Sequence, residues 1–146
     1  YPPYTQVQAE ELIRNLRTMT DYVIIDCGSY IAFDVLSAVS LIEADQVLRL
    51  VTCSLKSISY LSSQLPLLRD QKWDAEKQIR IVSDVRPNEA ANYVEQIFGK
   101  ISYTLPHSAE VETQVLEGRI FQNLTQKESR DFKLSLKIIG KEVLGV

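Results

Sequence analysis

The sequence has few of the residues that hold small proteins together covalently or through metals. Its 146 residues include two cysteines, Cys27 and Cys53, and one histidine, His107. Both cysteines lie in or beside apolar runs, where a free thiol behaves as a small hydrophobic group. The low cysteine count argues against a disulfide framework, and the absence of ligand-like spacing argues against a zinc site. A reducing, cytoplasmic environment fits this composition.

Long apolar runs and concentrated charge are also missing. No stretch of about 18 apolar residues occurs, so the sequence predicts no membrane-spanning helix. The first residues show no basic region followed by an apolar stretch, so they predict no secretion signal. The 16 basic and 19 acidic residues are mixed along the sequence, with a net charge of −3. This charge distribution gives no reason to expect direct binding of nucleic acid.

The composition is that of an ordinary globular protein, and strand and helix patterns alternate along the sequence. With 45% hydrophobic and 24% charged residues, it can form a compact core as one domain over residues 1–146. Short apolar, β-branched segments predict strands at residues 22–25, 46–52, 78–82 and 101–105. Helical periodicity predicts helices at about residues 7–18, 33–43, 56–71, 87–98, 109–117 and 127–144. The alternation predicts an α/β fold of three layers, with a mostly parallel sheet between helices.

The first candidate functional residue is Asp26, which directly follows the apolar segment 22–25. Ligands in open α/β sheets bind beyond the carboxyl ends of the strands, where a carboxylate can hold a Mg²⁺-bound water. A purely structural role is the alternative, because an aspartate after a strand often caps the next helix. The local pattern leaves both roles open.

Several landmarks, in the same order, resemble the ParA/MinD family of deviant Walker A P-loop ATPases. They are DYVIID at residues 21–26, ADQVL at 44–48, VTCSLKS at 51–57, and LPHSAEV at 105–111 with EGR at 117–119. The resemblance covers nearly the whole chain from Asp21 onward. It fits the pilus-positioning branch, which is CpaE/TadZ-like, as readily as the chromosome- or septum-positioning branches.

The resemblance implies roles for the residues that follow the first predicted strand. Asp26 would be the Walker B-like acidic group near Mg²⁺ and the attacking water, and it would act on the metal indirectly. Gly28 and Ser29 would form the mobile switch loop. The cofactors implied for a full-length protein are ATP and Mg²⁺, and the implied assembly is a homodimer that recruits a protein partner.

The resemblance also implies a pocket for the adenine base. The residue that reads the adenine edge would be Ser83 or Asp84, with the register open by one residue. Asp84 could accept a hydrogen bond from the adenine amino group, whereas Ser83 would be a poorer reader. Pro106 and His107 would line the far side of the base, largely through backbone groups.

The departures from the family pattern concern the phosphate end of the nucleotide. The five glycines are scattered, and none precedes a Lys-Ser or Lys-Thr pair, so the phosphate-binding loop is not in this sequence. Cys27-Gly28 also replaces the usual Xaa-Pro after the acidic residue. Because phosphoryl transfer depends on positioning and charge stabilisation, this chain alone is predicted not to hydrolyse ATP.

The family's central strand, between segments 22–25 and 46–52, is also missing from the sequence. Its absence predicts a gap in the sheet, a repair of the sheet by dimerisation or, as preferred here, that the chain is a fragment of a longer protein.

Two functional hypotheses follow. One is the C-terminal part of an ATP-dependent positioning switch that binds ATP, dimerises and recruits a partner. The other is a nucleotide-blind scaffold or interaction domain that keeps the fold without the chemistry. A hydrolase triad of Ser29, His107 and Asp26 is disfavoured because the Gly-x-Ser-x-Gly motif is absent.

Overall fold

The computed structural model of the protein describes residues 4–28, 31, 33–70 and 75–146. In chain order its main elements are α1 (Gln6–Met19), α2 (Val35–Glu43), β1 (Val47–Val51), α3 (Leu55–Asp70), β2 (Gln78–Val85), α4 (Ala91–Phe98), β3 (Tyr103–Pro106), α5 (Ala109–Leu116) and α6 (Arg130–Ile139). Short 3₁₀ segments precede β2 and α6, and a π-helical turn, Gly140–Leu144, follows α6. None of the described helices is long and apolar enough to cross a bilayer.

The chain divides into two compact units, each with its own buried apolar core. The first unit contains the described residues of Tyr1–Val47 and Pro66–Lys77, and the second contains Leu48–Leu65 and Gln78–Val146. One core cluster belongs to the first unit and two belong to the second. The expectation of a single domain over residues 1–146 stays a prediction.

The first unit is built around α1, and its start is fixed by a local hydrogen-bonding pattern. The Thr5 hydroxyl accepts a hydrogen bond from the Gln8 amide at 3.3 Å, and the Gln8 side chain accepts one from the Thr5 amide at 3.0 Å. This reciprocal capping box supplies partners for amides that a helix start leaves unpaired. Ala9 and Ile13 on the buried side of α1 pack against Val39 of α2. The predicted helix at residues 7–18 is confirmed.

The second unit contains a sheet with helices on both faces. The strand order is β1-β2-β3, and β2 pairs with β3 in parallel. On one face, Val51 and Val82 pack with Ile58 of α3 and Val94 of α4. On the other face, a second cluster joins β2 and β3 to α6 through Ile139. The three-layer α/β/α arrangement predicted from the alternating pattern is confirmed.

The predicted strand at residues 22–25 is wrong for this chain. Residues 22–28 form no strand in the structure. Tyr22 and Ile24 are 51% and 82% exposed, although the apolar run is typical of a strand buried on both faces. A strand needs a neighbour for its backbone amides and carbonyls, and no described residue forms a ladder with this segment. The sequence of 22–25 therefore specifies a strand whose partner is not among the described residues.

The outer edge of the sheet, at β1, also lacks a pairing strand within the described ranges. β1 pairs with β2 on one side, and its other side has no partner strand in the described part of the chain. Leu48 and Leu50 of β1 are 40% and 55% exposed. An apolar, unpaired edge is a template on which a further strand can add. The second unit therefore presents a strand-pairing surface at β1.

Some predicted helix bounds differ from the observed ones. Pro66 lies inside α3, which continues through it to Asp70. α4 begins at Ala91 rather than at residue 87, because residues 86–89 form a turn in which the Glu89 amide donates to the Arg86 carbonyl at 3.0 Å.

A matched pair of substitutions tests the exposure of segment 22–25. Ile24→Ala is expected to change the free energy of unfolding by no more than about 0.5 kcal/mol, because the side chain is already in water. Ile81→Ala, at a position 2% exposed, is expected to cost about 2–5 kcal/mol. Chemical denaturation of both variants measures the difference. Equal losses would show that Ile24 is buried in this chain.

Candidate functional site

The carboxyl edge of the sheet is shaped by a bulge in β2. Val82 pairs with Thr104 and Val85 pairs with Pro106, so β2 has one more residue than β3 between these pairs. Asp84, inside the bulge, adopts a left-handed backbone conformation with φ of 57°. Aspartate tolerates this region better than most residues, and bulges re-aim side chains next to functional sites. The bulge therefore places a carboxylate at the end of β2 in an unusual direction.

Asp84 is turned toward His107, the residue that follows β3. The Nδ1 atom of His107 lies 2.6 Å from Oδ1 of Asp84. An ionised carboxylate only accepts hydrogen bonds, so Nδ1 is the donor. The backbone amide of His107 donates to the Val85 carbonyl at 2.9 Å, and Nε2 of its ring lies 3.9 Å from a carboxylate oxygen of Glu112. The histidine side chain is 23% exposed and Asp84 is 51% exposed, so a ligand can reach the pair.

The structure brings together three of the residues assigned to the adenine pocket. Asp84, Pro106 and His107 lie at the carboxyl ends of two paired strands, where ligands of open α/β sheets bind. Ser83 precedes Asp84 within the bulge and is half-buried. The roles of these four residues in binding a base stay a prediction.

The loop after β1 is fixed by its own hydroxyl groups. The Thr52 amide donates to Oγ of Ser57 at 3.1 Å, and the Ser57 amide donates to Oγ of Ser54 at 3.2 Å. These bonds hold the start of α3 against the end of β1. The VTCSLKS landmark thus forms a compact strand-to-helix connection at the same edge of the sheet.

Cys53 in this loop is poorly suited to act as a nucleophile. Burial raises the pKa of its thiol, and the negative charges of Glu89 and Asp84 raise that pKa further. The thiolate is the reactive form, so these surroundings keep the group as an inert thiol. Cys27 and Cys53 are both free cysteines. Among the described residues no cluster of His, Cys, Asp and Glu side chains is arranged to hold a metal ion.

A buried carboxylate anchors the helix that follows His107. Glu110 is 7% exposed, and one of its oxygens accepts from the Thr125 amide at 2.7 Å. The other oxygen accepts from the Gln126 amide at 3.0 Å and from the Ser129 hydroxyl at 2.6 Å. Burial by itself raises the pKa of Glu110, but the hydrogen bonds from Ser129, Thr125 and Gln126 together lower it from 4.5 to about 2. Glu110 therefore ties α5 to residues 125–129 as an ionised group.

Glu128 also belongs to this network, and it accepts hydrogen bonds from residues at the start of α5. Its Oε1 atom accepts from the Glu110 amide at 2.9 Å and from the Ser108 hydroxyl at 3.3 Å. The Ser108 hydroxyl also accepts from the Val111 amide at 3.2 Å and caps α5. Since His107 directly precedes Ser108, the network determines where the histidine backbone lies. Nothing in the sequence pointed to Glu128, whereas Ser108 followed by an acidic residue is a usual sign of a helix start.

Asp26 and Gly28 lie in the first unit, in the segment that leads to α2. The Gly28 amide donates to Oγ of Ser37 at 3.2 Å, and that hydroxyl donates to the carboxylate of Asp34. Asp34 is the N-cap of α2 and accepts from the Leu36 amide at 3.2 Å. The helix is therefore capped by Asp34 rather than by Asp26, which is exposed. Ser29, the other switch-loop residue, lies outside the described residues.

The described residues offer polar groups at two separate places, one in each unit. One exposed carboxylate, Asp26, follows an apolar segment in the first unit, and Asp84 with His107 forms an accessible polar pair in the second unit. The pair offers a carboxylate acceptor and a ring, which are groups that suit a base. The chain contains no Gly-Lys-Ser/Thr loop for the phosphates.

Comparison with known proteins identifies the fold. No family model matches the sequence, and no curated protein matches it. A crystal structure of a ParA family ATPase from Chlorobium tepidum TLS matches with a TM-score of 0.73 and 19% sequence identity. The match covers 91% of this chain and 57% of that chain, so this chain spans little more than half the length of its structural neighbour. The chain has a fold like that of this ParA family ATPase, and at this identity the likeness shows the fold alone.

Acid titration tests the Glu110 network. A carboxyl group with a lowered pKa in the folded state contributes stability that is fully present above pH 4.5. That stability is lost as the pH falls through about 2. We expect Glu110→Gln to lower the melting temperature by several degrees at pH 7 and to unfold with a weaker dependence on pH between these limits. Thermal unfolding from pH 7 to about pH 2 measures both effects.

Glu11→Gln is the control, since Glu11 is exposed on α1. This variant is expected to follow the wild-type pH dependence. An unchanged melting temperature and pH profile in Glu110→Gln would show that the network contributes nothing to the folded state.

Proposed function

We propose that this chain is the C-terminal part of a ParA-like, ATP-dependent positioning switch. The complete switch binds ATP with Mg²⁺, forms a homodimer and recruits a protein partner, whereas these 146 residues alone do not hydrolyse ATP. The uncovered apolar segment that ends at Asp26, in a chain with a ParA-like fold, is the observation that carries this proposal. The branch of the family, including the pilus-positioning CpaE/TadZ-like branch, is left open.

The first support is the need for a further strand. Segment 22–25 has the composition of a strand buried on both faces and lacks a neighbour, and β1 has an unpaired apolar edge. In the family that the sequence resembles, the strand leading into the phosphate loop lies between the counterparts of these two segments. Segment 22–25 and the edge of β1 each lack such a strand among the described residues, and its addition would also supply the phosphate loop.

The second support is the pair at the carboxyl edge of β2 and β3. Asp84 accepts from His107 through Oδ1, so its second carboxylate oxygen is available to accept from the amino group of a base. Pro106 and His107 come from the neighbouring strand end and are held there by the Glu110 and Glu128 network. Asp84 is the better candidate for the adenine reader than Ser83, because the bulge directs its carboxylate to the accessible edge.

ATP and Mg²⁺ would supply a phosphoryl group and its charge-neutralising metal ion. The residues of this chain would contribute at two places. Asp26 would hold a metal-bound water through its carboxylate, and Asp84 with His107 would orient the base. The groups that bind the phosphates would come from outside these 146 residues.

A second candidate function is a nucleotide-blind scaffold. It is favoured by one observation in particular: Cys27-Gly28 stands where the family has Xaa-Pro, and the Gly28 amide is already bonded to Ser37. A switch loop held in this way would not respond to a phosphate. The scaffold would fold and bind its partner in the same way with and without ATP.

Calorimetry with Mg²⁺-ATP separates the two functions. The titration is made on these 146 residues and on the product of the complete gene. We expect saturable binding by the complete product and none by the 146 residues, because the phosphate-binding groups are needed for most of the affinity. No binding by either protein would overturn the switch and support the scaffold.

Two variants of the complete product test the assigned residues. Asp26→Ala is expected to reduce ATP turnover by about a hundredfold or more while ATP still binds, since an acidic group near the metal acts mainly on the reacting water. Asp84→Ala is expected to weaken ATP binding by about tenfold through the lost base contact. Asp131→Ala, on α6, is the control. If all three variants had the same ATP turnover and the same ATP affinity, neither Asp26 nor Asp84 would belong to the site.

A further inference from the structure

Two arginines lie side by side on the sheet, away from the carboxyl edge. Arg49 is the central residue of β1, and Arg80 is the third residue of β2. Each lies two residues before a core valine, Val51 or Val82, so both belong to the face covered by α3 and α4. Arg80 comes four residues before Asp84, which corresponds to about 13 Å along an extended strand. The arginines are therefore separate from the candidate nucleotide pocket.

Arg49 and Arg80 line one small pocket together with apolar side chains. The pocket has a volume of about 20 Å³, and its apolar lining includes Leu61, Leu65 and Phe98. This volume holds little more than one water-sized group, so the pocket is too small for a base. A planar head group of a few atoms at its mouth is the kind of ligand that fits.

Neither arginine has an acidic partner among the described residues. The ion pairs of the described chain involve Arg17, Arg119 and His107, and none involves Arg49 or Arg80. Arg49 donates one hydrogen bond, to the neutral side chain of Gln78 at 3.3 Å. Arg80 has an Nη1 atom close to Gly99, just beyond the end of α4, where helix carbonyls give only partial negative charge.

Within the described part of the chain, this arrangement leaves two positive charges without a negative partner. Both side chains are half-buried, and a charge removed from water needs a partner of opposite sign. Burial lowers the pKa of Arg49, and the positive charge of Arg80 lowers it further. An arginine nevertheless stays protonated in proteins, so the two positive charges coexist. An oxyanion between them would offset both the burial and the mutual repulsion.

We propose that Arg49 and Arg80 form a binding site for an oxyanion, a carboxylate or phosphate group, on the amino-terminal half of the sheet. Guanidinium groups present parallel N–H donors that match the oxygens of such groups. The apolar side chains around them suit the carbon atoms of a ligand that carries the oxyanion. The site belongs to the second unit alone.

Two-dimensional amide NMR on these 146 residues tests the proposal. The protein is titrated with inorganic phosphate and, separately, with acetate, while chloride keeps the ionic strength constant. Saturable shifts are expected at Arg49, Leu50 and Arg80, and the anion that binds more tightly identifies the preferred oxyanion. Arg49→Gln and Arg80→Gln are each expected to weaken binding by about tenfold or more. Arg14→Gln, at an exposed position on α1, is expected to bind like the wild type.

Stability without added anion distinguishes a binding site from a structural role. Because Arg49→Gln removes one of two like charges, it is expected to unfold in chloride at the same temperature as the wild type or higher, and to gain less from phosphate. A marked loss of stability in chloride would indicate a structural role and overturn the proposal. Absence of saturable shifts, or equal shifts in Arg49→Gln, Arg80→Gln and Arg14→Gln, would overturn it as well.

Discussion

Backbone pairing between neighbouring strands is the constraint on which the rest of this structure depends. β2 has neighbours on both sides, and its residues Ile81 and Val82 are almost fully buried. β1 has a neighbour on one side, and its leucines are partly in water. Segment 22–25 has no neighbour among the described residues, and it forms no strand although its sequence is more apolar than that of β2. The degree of pairing, more than β propensity, accounts for these three outcomes.

The candidate site depends on two irregular features that regular pairing would not produce. The bulge at Asp84 turns a carboxylate toward His107, and the paired carboxylates of Glu110 and Glu128 hold the segment that contains His107. In both features, polar groups that would bond to water at an ordinary strand end or in a loop bond to other protein groups instead. Their combination produces an accessible edge with fixed hydrogen-bonding directions, which is what recognition of a small polar ligand requires.

The sequence predicted the elements that depend on local patterns and missed those that depend on distant partners. The capping box at Thr5, the periodicity of the helices and the apolar runs of β1, β2 and β3 are local, and these elements form at or within a few residues of the predicted positions. The strand at 22–25 failed because pairing is not encoded in the segment itself. Among the site residues, Asp84 and His107 were proposed from the family resemblance. The bulge that joins them and the contact of Glu110 with residue 129 arise only after folding, so no sequence pattern indicated them.

We propose that segment 22–25 and the free edge of β1 each lack a pairing strand that lies outside these 146 residues. Hydrogen–deuterium exchange with mass spectrometry, on this chain and on the complete gene product, tests it most directly. We expect fast exchange at residues 22–25 in this chain and strong protection of the same amides in the complete product, with added protection along β1. Equal exchange of these amides in the two proteins would show that no strand is added there.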